Sequence, residues 1–285
     1  MMIQVDHLYH DYTGQGHFAV SDVSFAIDKG EIFGFLGPSG AGKSTVQNIM
    51  IGLLPLQRGQ IQYKGQPITT QGHHFFNGIG VSFELPNLYT KLTGYENLKY
   101  FSGLYDVPVM DPMILLDMVG LKDAAHKRAS AYSKGMKQRL VFARSLVNRP
   151  EILFLDEPTS GLDPTTASRI KDIIMKKKAE GTTIFLTTHN MTIADELCDR
   201  VAFINDGVLV GMDTPRNLKL QYGEKSVMIE YIKEGVVNRE VIFIDRQEDI
   251  IKLNSLLNAG QIQMIHSQEA TLEQIFIKLT GRGLQ

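Results

Sequence analysis

Residues 37–45 read Gly37-Pro38-Ser39-Gly40-Ala41-Gly42-Lys43-Ser44-Thr45 and match the phosphate-binding pattern G-x-x-x-x-G-K-[ST] at every fixed position. The glycines allow a tight turn whose backbone N–H groups can bind phosphate oxygens. Lys43 is long enough to contact the terminal phosphates, and the Ser44 hydroxyl can join a magnesium shell. The stretch therefore predicts a site for a nucleoside triphosphate.

The residues on either side of this loop support that interpretation. Ile32-Phe33-Gly34-Phe35-Leu36 is typical of a short buried strand, and the residues from Val46 to Gly52 are typical of a helix. A strand, a glycine loop and a helix form the setting that phosphate binding requires, because the helix N-terminus adds partial positive charge. A glycine turn that binds nothing is the disfavoured alternative.

The composition of the chain limits the classes of partner that it can bind and the cellular compartment in which we expect it. The chain has 285 residues, of which 43% are hydrophobic and 21% charged, and its net charge of -2 favours neither nucleic acid nor an anionic membrane as a partner. The single cysteine, Cys198, excludes an intramolecular disulfide and a zinc cluster. No apolar run approaches the roughly 18 residues of a spanning helix, and Asp6 stands where a signal peptide would be apolar or basic. We therefore expect a cytoplasmic protein.

The pattern along the chain predicts an α/β fold with an inserted helical region. Alternating residues from 3 to 27 indicate antiparallel strands, and helical spacing runs from Tyr95 to Val147. Unbroken apolar runs at Ile152-Leu153-Phe154-Leu155 and Thr183-Ile184-Phe185-Leu186 indicate buried parallel strands. We predict a P-loop nucleoside-triphosphatase core with an antiparallel β subdomain over residues 1–220, including a helical subdomain at about 90–150.

The remaining residues, 221–285, predict a small α+β appendage. Strand and helix signals alternate there without any visible catalytic chemistry. Thr271 and Gln274 form a capping-box signature at the start of a final helix that ends at Gly281.

Hydrolysis also requires an acid that holds the metal and a group that positions water. Asp156 and Glu157 follow the strand Ile152-Leu153-Phe154-Leu155, just before Pro158. Adjacent residues of a strand point to opposite faces of the sheet, so the two carboxylates can have different roles where the strand ends. We assign Asp156 to the magnesium shell and Glu157 to the attacking water; two solvated acids at a strand end are the alternative.

A histidine follows the next predicted strand. His189 comes directly after Thr187-Thr188, and ligands bind at the carboxyl ends of parallel strands. We therefore predict that His189 contacts the terminal phosphate.

Residues 1 to about 220 resemble the ATP-binding cassette (ABC) ATPases. The resemblance rests on the order and spacing of five elements: the phosphate loop, Tyr132-Ser133-Lys134-Gly135-Met136, Asp156-Glu157, Ser160-Gly161-Leu162-Asp163 and His189. Lys134 and Met136 depart from the usual glycine and glutamine, and this form resembles the subgroup of drug and small-molecule exporters. The C-terminal residues also resemble the extension on exporter-type cassettes, although less closely.

The resemblance implies ATP and Mg²⁺ as ligands and a head-to-tail dimer, with either an identical or a different second ATPase protomer. Ser133 and Gly135 would contact the phosphate bound by the other protomer, and Asp163 would be a further nucleotide-binding residue. Ser133 also satisfies the simpler role of cap for a helix that we expect to run from Lys134 to Val147.

Two further assignments come from the resemblance. Tyr12 stands where the family stacks an aromatic ring on adenine, with Tyr9 and Phe18 as competing candidates. Glu84 stands where the family has a glutamine that ligates magnesium. The carboxylate of Glu84 can also ligate magnesium, but it adds a negative charge near the phosphates.

The leading functional hypothesis is an ATPase subunit that drives export, of a drug or another small molecule, through a separate integral-membrane permease. The protein would then lie on the inner face of the cell membrane through that permease. Import is also compatible with the sequence, because the cargo is bound by the permease.

The alternative functions are a soluble ABC ATPase acting on ribosomes or DNA and a regulatory module without turnover. A GTPase is disfavoured, because the sequence has no Asn-Lys-x-Asp segment.

Overall fold

A computed structural model describes residues 1–233 and 236–281, which form two compact units that meet in sequence at Thr214/Pro215. The strands of the first unit are β1 (Ile3–His10), β2 (Val20–Ile27), β3 (Ile32–Leu36), β4 (Arg58–Tyr63), β5 (Gln66–Pro67), β6 (Ile79–Ser82), β7 (Ile152–Asp156), β8 (Thr183–Thr188), β9 (Arg200–Asn205) and β10 (Val208–Asp213). Its helices are α1 (Lys43–Met50), α2 (His74–Gly78), α3 (Gly94–Ser102), α4 (Pro112–Met118), α5 (Lys134–Arg144), α6 (Pro164–Ala179) and α7 (Met191–Leu197), with short 3₁₀ helices at Ile68–Thr70, Lys122–Ala124 and Ala129–Ala131.

The central sheet of the first unit has the strand order β10-β9-β3-β8-β7-β6. Strands β9, β3, β8, β7 and β6 run parallel, and β10 is an antiparallel edge strand. Every residue of β3, β7 and β8 is buried, as expected for parallel strands that are covered on both faces. The carboxyl ends of these three strands lie side by side, because Leu36 pairs with Thr188 and Asp156 pairs with Thr187.

A second sheet of this unit is antiparallel and has the order β2-β1-β4-β5. Four phenylalanine rings fill the core: Phe25 of this sheet stacks on Phe33 at 5.2 Å between ring centroids, and Phe35 and Phe185 pack against them. Burial of such large rings is a main source of hydrophobic stabilisation. The predicted α/β fold with an antiparallel subdomain is confirmed.

Helices α3, α4 and α5 form the predicted helical insertion between β6 and β7. Thr93 caps α3 in a capping box with Glu96. The sequence predicts that the helix from Lys134 continues to Val147, but α5 ends at Arg144, where the Ser145 N–H bonds to two carbonyls of the last turn. The last turn therefore tightens before the predicted end.

The second unit contains α8 (Pro215–Tyr222), β11 (Ser226–Lys233), β12 (Val236–Phe243), α9 (Gln247–Asn258), β13 (Ile262–Gln268) and α10 (Leu272–Thr280). Its antiparallel sheet has the order β12-β11-β13. The predicted boundary at residue 220 lies inside α8, which belongs to this unit and packs on α10. The predicted capping box at Thr271 is present, and Gly281 ends α10 in the left-handed conformation.

Within residues 1–233 and 236–281, no helix combines the length and the apolar character needed to span a bilayer.

Candidate nucleotide site

The phosphate loop connects β3 to α1 at the carboxyl edge of the central sheet. Gly40 and Gly42 have φ values of +81° and +106°, a backbone region that glycine adopts without strain. A Cβ at Gly37 would lie 2.2 Å from the carbonyl oxygen of Ile204, so this position also requires glycine. Pro38 and Ser39 follow Gly37 in the turn, and Ala41 is buried within it. The loop is therefore a tight turn whose conformation depends on its glycines.

Lys43 lies at the start of α1 and is 7% exposed. Its ammonium group donates hydrogen bonds to the carbonyl oxygens of Gly37 at 2.7 Å and Pro38 at 2.9 Å. Burial lowers the pKa of Lys43, and the carboxylates of Glu157 and Asp156 oppose that shift. The lysine therefore stays inside its own loop, close to the two acids predicted to act with it.

Asp156 is the last residue of β7 and is 8% exposed. The hydroxyl of Thr187, from the adjacent strand β8, donates a hydrogen bond to its Oδ1. The Ser44 hydroxyl lies 3.4 Å from Oδ2. Burial raises the pKa of Asp156, and the negative charge of Glu157 raises it further. A cation at this position would relieve the cost of the buried charge.

Magnesium fits this donor set. Ser44 and Asp156 supply a hydroxyl and a carboxylate oxygen, which are hard ligands of the type that Mg²⁺ prefers. No group of three or more His, Cys, Asp and Glu side chains capable of holding a metal occurs in the described parts of the chain. Mg²⁺ sites that handle phosphates commonly use one or two carboxylates and complete the shell with phosphate and water.

Glu157 follows β7 directly and adopts a left-handed conformation with φ of +48°. This conformation is strained for a residue with a side chain, and such strain concentrates at functional sites. Its carboxylate accepts three hydrogen bonds: from the Thr188 hydroxyl at 2.8 Å, from the His189 backbone N–H at 2.7 Å and from the His189 ring Nδ1 at 2.6 Å. Glu157 is 6% exposed, so these donors fix its orientation.

Tyr12 lies next to the phosphate loop. Its hydroxyl is 3.0 Å from the Thr45 hydroxyl, while 61% of the residue remains exposed. The competing candidates, Tyr9 and Phe18, pack edge to face against each other at 5.6 Å. Tyr12 is therefore the ring that combines a contact to the loop with a free surface.

Comparison with known proteins identifies the family. A model described as ABC transporter matches residues 20–160. The fluoroquinolones export ATP-binding protein of Mycobacterium tuberculosis is 50% identical over 284 residues, which cover 99% of this chain and 94% of that protein. The chain belongs to the ABC transporter family. The family membership predicted from the sequence is confirmed, and the chain is an ABC ATPase.

Solved ABC structures share the fold. The ATP-binding subunit of an ABC transporter is 28% identical with a TM-score of 0.71, and the match covers 78% of this chain and 94% of that one. A dimeric ABC cassette in a post-hydrolysis state, bound to ADP and Pi, is 25% identical with a TM-score of 0.68, over 75% of this chain and 98% of that one.

The predicted signature motif of this ABC protein lies in the helical insertion, away from the loop. Ser133 caps α5 by accepting a hydrogen bond from the Met136 N–H at 3.2 Å. A Cβ on Gly135 would lie 3.5 Å from Leu162, which places the motif beside the segment that ends at Asp163. Asp163 caps α6 by accepting from the Thr166 N–H at 3.0 Å. In the described parts of the chain, no hydrogen bond joins Ser133, Gly135 or Asp163 to the phosphate loop.

Glu84 follows β6 and is exposed in this ABC protein. Burial is the main cause of the lowered pKa of Lys43 and the raised pKa of Asp156, and the carboxylate of Glu84 raises both. Its charge therefore acts on the phosphate site.

Thr187 and Thr188 are site residues to which the sequence analysis gave no role. Each donates its hydroxyl to one of the two acids, Thr187 to Asp156 and Thr188 to Glu157. The signal that could have revealed them is their place at the end of a parallel strand beside β7, because paired strand ends bring their side chains together.

Proposed function

We propose that this ABC ATPase energises export of a drug or another small molecule through a separate membrane permease, with fluoroquinolones as the first cargo to test. The similarity that supports this cargo is the 50% identity, over nearly the whole chain, to a fluoroquinolones export ATP-binding protein. The relatives and structures reported above do not favour the alternative, an ATPase acting on ribosomes or DNA. The protein would be held at the inner face of the membrane by the permease.

The observation that carries the proposal is the meeting of Lys43, Asp156, Glu157 and His189 at three adjacent strand ends. In this arrangement Lys43 binds the terminal phosphates of ATP and neutralises charge that develops on them. Glu157 orients the attacking water and accepts its proton. His189 holds the Glu157 carboxylate and contacts the terminal phosphate through its exposed ring, which is 55% exposed.

We assign the magnesium shell to Ser44, Asp156 and Glu84. When bound, the ion would offset charge on the phosphates. Thr187 keeps one oxygen of Asp156 occupied, so that the other remains directed toward Ser44.

We propose that units 1–214 and 215–281 are the ATPase and an accessory domain, and that two ATPase protomers close one site together. Ser133 bonds to Met136 and Gly135 lies beside Leu162, and no hydrogen bond joins either residue to the phosphate loop in the described parts of the chain. We therefore propose that the signature motif over each loop comes from a second protomer. The dimeric state of a related cassette supports this arrangement.

An apolar groove is the proposed contact with the permease. It has a volume of about 580 Å³ and lies between β6 and the helical insertion. Its lining includes Phe76, Tyr89, Phe101 and Arg144, with the Arg144 guanidinium 4.6 Å above the Phe101 ring. A cytoplasmic helix of the permease seated there would contact both the insertion and the strand that leads to Glu84.

The proposal is tested by co-expressing the chain with its candidate permease and measuring fluoroquinolone efflux and phosphate release. We expect ATP-dependent efflux that is lost in Lys43→Ala. A Phe101→Glu variant should fail to co-purify with the permease and keep its affinity for ATP. Efflux that persists in Lys43→Ala, or recovery of the chain with ribosomes only, would refute the proposal. The molar mass of the Glu157→Gln variant, measured by light scattering with and without ATP, would show which dimer forms. A doubled mass with ATP would indicate a homodimer, and an unchanged mass would indicate a protomer that needs a different partner.

A further inference from the structure

The turn that carries Tyr12 is fixed by the side chain of its neighbour Asp11. One carboxylate oxygen of Asp11 accepts hydrogen bonds from the backbone N–H and the hydroxyl of Thr13, both at 2.8 Å. The other oxygen accepts from the Gly16 N–H at 2.7 Å. Asp11 is 8% exposed, so this carboxylate holds the turn from inside.

Gln57 holds the same residue from a distant part of the chain. Its side-chain oxygen accepts from the Asp11 N–H at 2.8 Å, and its side-chain N–H donates to the Asp11 carbonyl oxygen at 2.9 Å. The amide of Gln57 thus replaces the paired hydrogen bonds that a neighbouring strand would make. These two bonds fix the backbone immediately before Tyr12.

The two residues after Gln57 hold the end of β1. Arg58 lies over the Tyr9 ring, 4.5 Å from its centroid. A Cβ at Gly59 would lie 2.4 Å from the carbonyl oxygen of His7, so the start of β4 lies directly against β1. The segment from Gln57 to Gly59 therefore packs closely against the chain that leads into Tyr12.

Tyr12 itself is held at two points and is free on its remaining surface. Its ring packs edge to face on His10 at 4.7 Å between centroids, and its hydroxyl meets the Thr45 hydroxyl. The ring is consequently presented to solvent in one orientation beside the phosphate loop. A preorganised ring loses little conformational freedom when a planar ligand stacks on it.

We propose that Asp11 and Gln57 are positioning residues that set the affinity for the adenine base by fixing Tyr12, without contact to the phosphates. The inference rests on the proposed function, because an ATPase must bind adenine, and it takes Tyr12 as the ring on which that base stacks. Gln57 supplies the distant anchor, and Asp11 closes the turn.

The test uses the full chain, three single variants and the double variant that combines Gln57→Ala with Tyr12→Ala. Gln57→Ala removes both bonds to Asp11, and Tyr12→Ala removes the ring. Gln15→Ala is the matched control, since Gln15 is an exposed glutamine of the same turn whose backbone N–H bonds to Thr13. The dissociation constants of ATP and of inorganic tripolyphosphate, which has no base, are measured for each by calorimetry, together with the unfolding midpoint.

We expect Gln57→Ala to weaken ATP binding by about three- to tenfold, and Tyr12→Ala to weaken it by about five- to hundredfold. Tripolyphosphate affinity should be unchanged in both variants, and the control should match wild type. In the double variant, Gln57→Ala should add nothing to the loss caused by Tyr12→Ala, because the two residues act through one contact.

Four results separate failure of the inference from failure of the stacking assignment on which it rests. If Tyr12→Ala weakens ATP binding and Gln57→Ala does not, the positioning role is wrong and the stacking assignment stands. An additive loss in the double variant, or an equal loss of tripolyphosphate affinity, also overturns the positioning role. If Tyr12→Ala binds ATP like wild type, the stacking assignment itself is wrong, and the inference fails with it.

Discussion

The ring Nδ1 of His189 and the Oε1 of Glu157 are hydrogen-bonded at 2.6 Å, and the His189 backbone N–H contacts the same oxygen at 2.7 Å. Glu157 directly follows β7 and His189 directly follows β8, so the register in which Asp156 pairs with Thr187 brings the two residues together. The histidine thereby controls the orientation of the acid, and the acid controls the orientation of the ring. Neither side chain acts alone in this site.

Replacing Glu157 by Gln should abolish turnover while ATP binding persists. The amide has almost the same shape, but it cannot accept a proton from water. We expect the rate of phosphate release to fall by about 100-fold or more, with the ATP dissociation constant nearly unchanged. Glu180→Gln is the matched control, because Glu180 is an exposed acid that pairs with Lys177 at 2.7 Å. Hydrolysis by Glu157→Gln at the wild-type rate would show that another group positions the water.

Replacing Thr188 by Val should lower kcat more than it changes KM. The methyl group fills the same space but leaves the Glu157 carboxylate without the donor that now lies at 2.8 Å. We expect kcat to fall about three- to tenfold from the loss of this hydrogen bond. The unfolding midpoint should fall as well, because the Thr188 hydroxyl also accepts a hydrogen bond from the Asn190 N–H at 3.0 Å. Thr188→Ser keeps the hydroxyl and should retain most of the activity. Steady-state kinetics measure both variants. Equal kcat values for Thr188→Val and Thr188→Ser would contradict the role of this hydroxyl.

Gly34→Ala should destabilise the first unit. Gly34 lies in β3, and an added Cβ would be 2.7 Å from Sγ of Cys198 and 3.0 Å from a methyl of Val201. Overpacking of this kind costs about 1–3 kcal/mol of unfolding free energy. Urea denaturation measures it, with Gly72→Ala as the control because nothing lies within 4 Å of a Cβ there. Cys198→Ala should recover part of the loss; a double variant as unstable as the sum of the single changes would argue against the contact.

The single thiol should resist alkylation in the folded protein. Cys198 is 8% exposed, and burial raises its pKa far above the usual value. The reactive thiolate is therefore scarce at pH 8 and remains scarce at pH 9. We expect labelling by a maleimide to be at least about 100-fold slower than in urea, since it requires local opening. Equal rates in the two conditions would show that the residue is accessible in the native state.

The parts of the site that follow local rules could be predicted from the sequence. The phosphate loop, the strand Ile152-Leu153-Phe154-Leu155 and the acids after it are adjacent in the chain, so composition and spacing locate them. The capping box at Thr271 is equally local and is present.

Contacts that depend on strand register could not be predicted in this way. Thr187 reaches Asp156 because the two residues are partners across β7 and β8. Gln57 reaches Asp11 because β4 pairs with β1 through an irregular register between Asp6 and Tyr9. A one-residue slip would direct both side chains elsewhere, and no short motif encodes the register.

Lys43 already has two acceptors, the carbonyl oxygens of Gly37 and Pro38, within the turn that it serves. Phosphate bound at this lysine would replace these carbonyl oxygens, so its affinity would reflect the difference between two sets of hydrogen bonds. Loss of the phosphate would allow the internal pair to form again. The buried ammonium group would thus have hydrogen-bond acceptors both with and without a nucleotide.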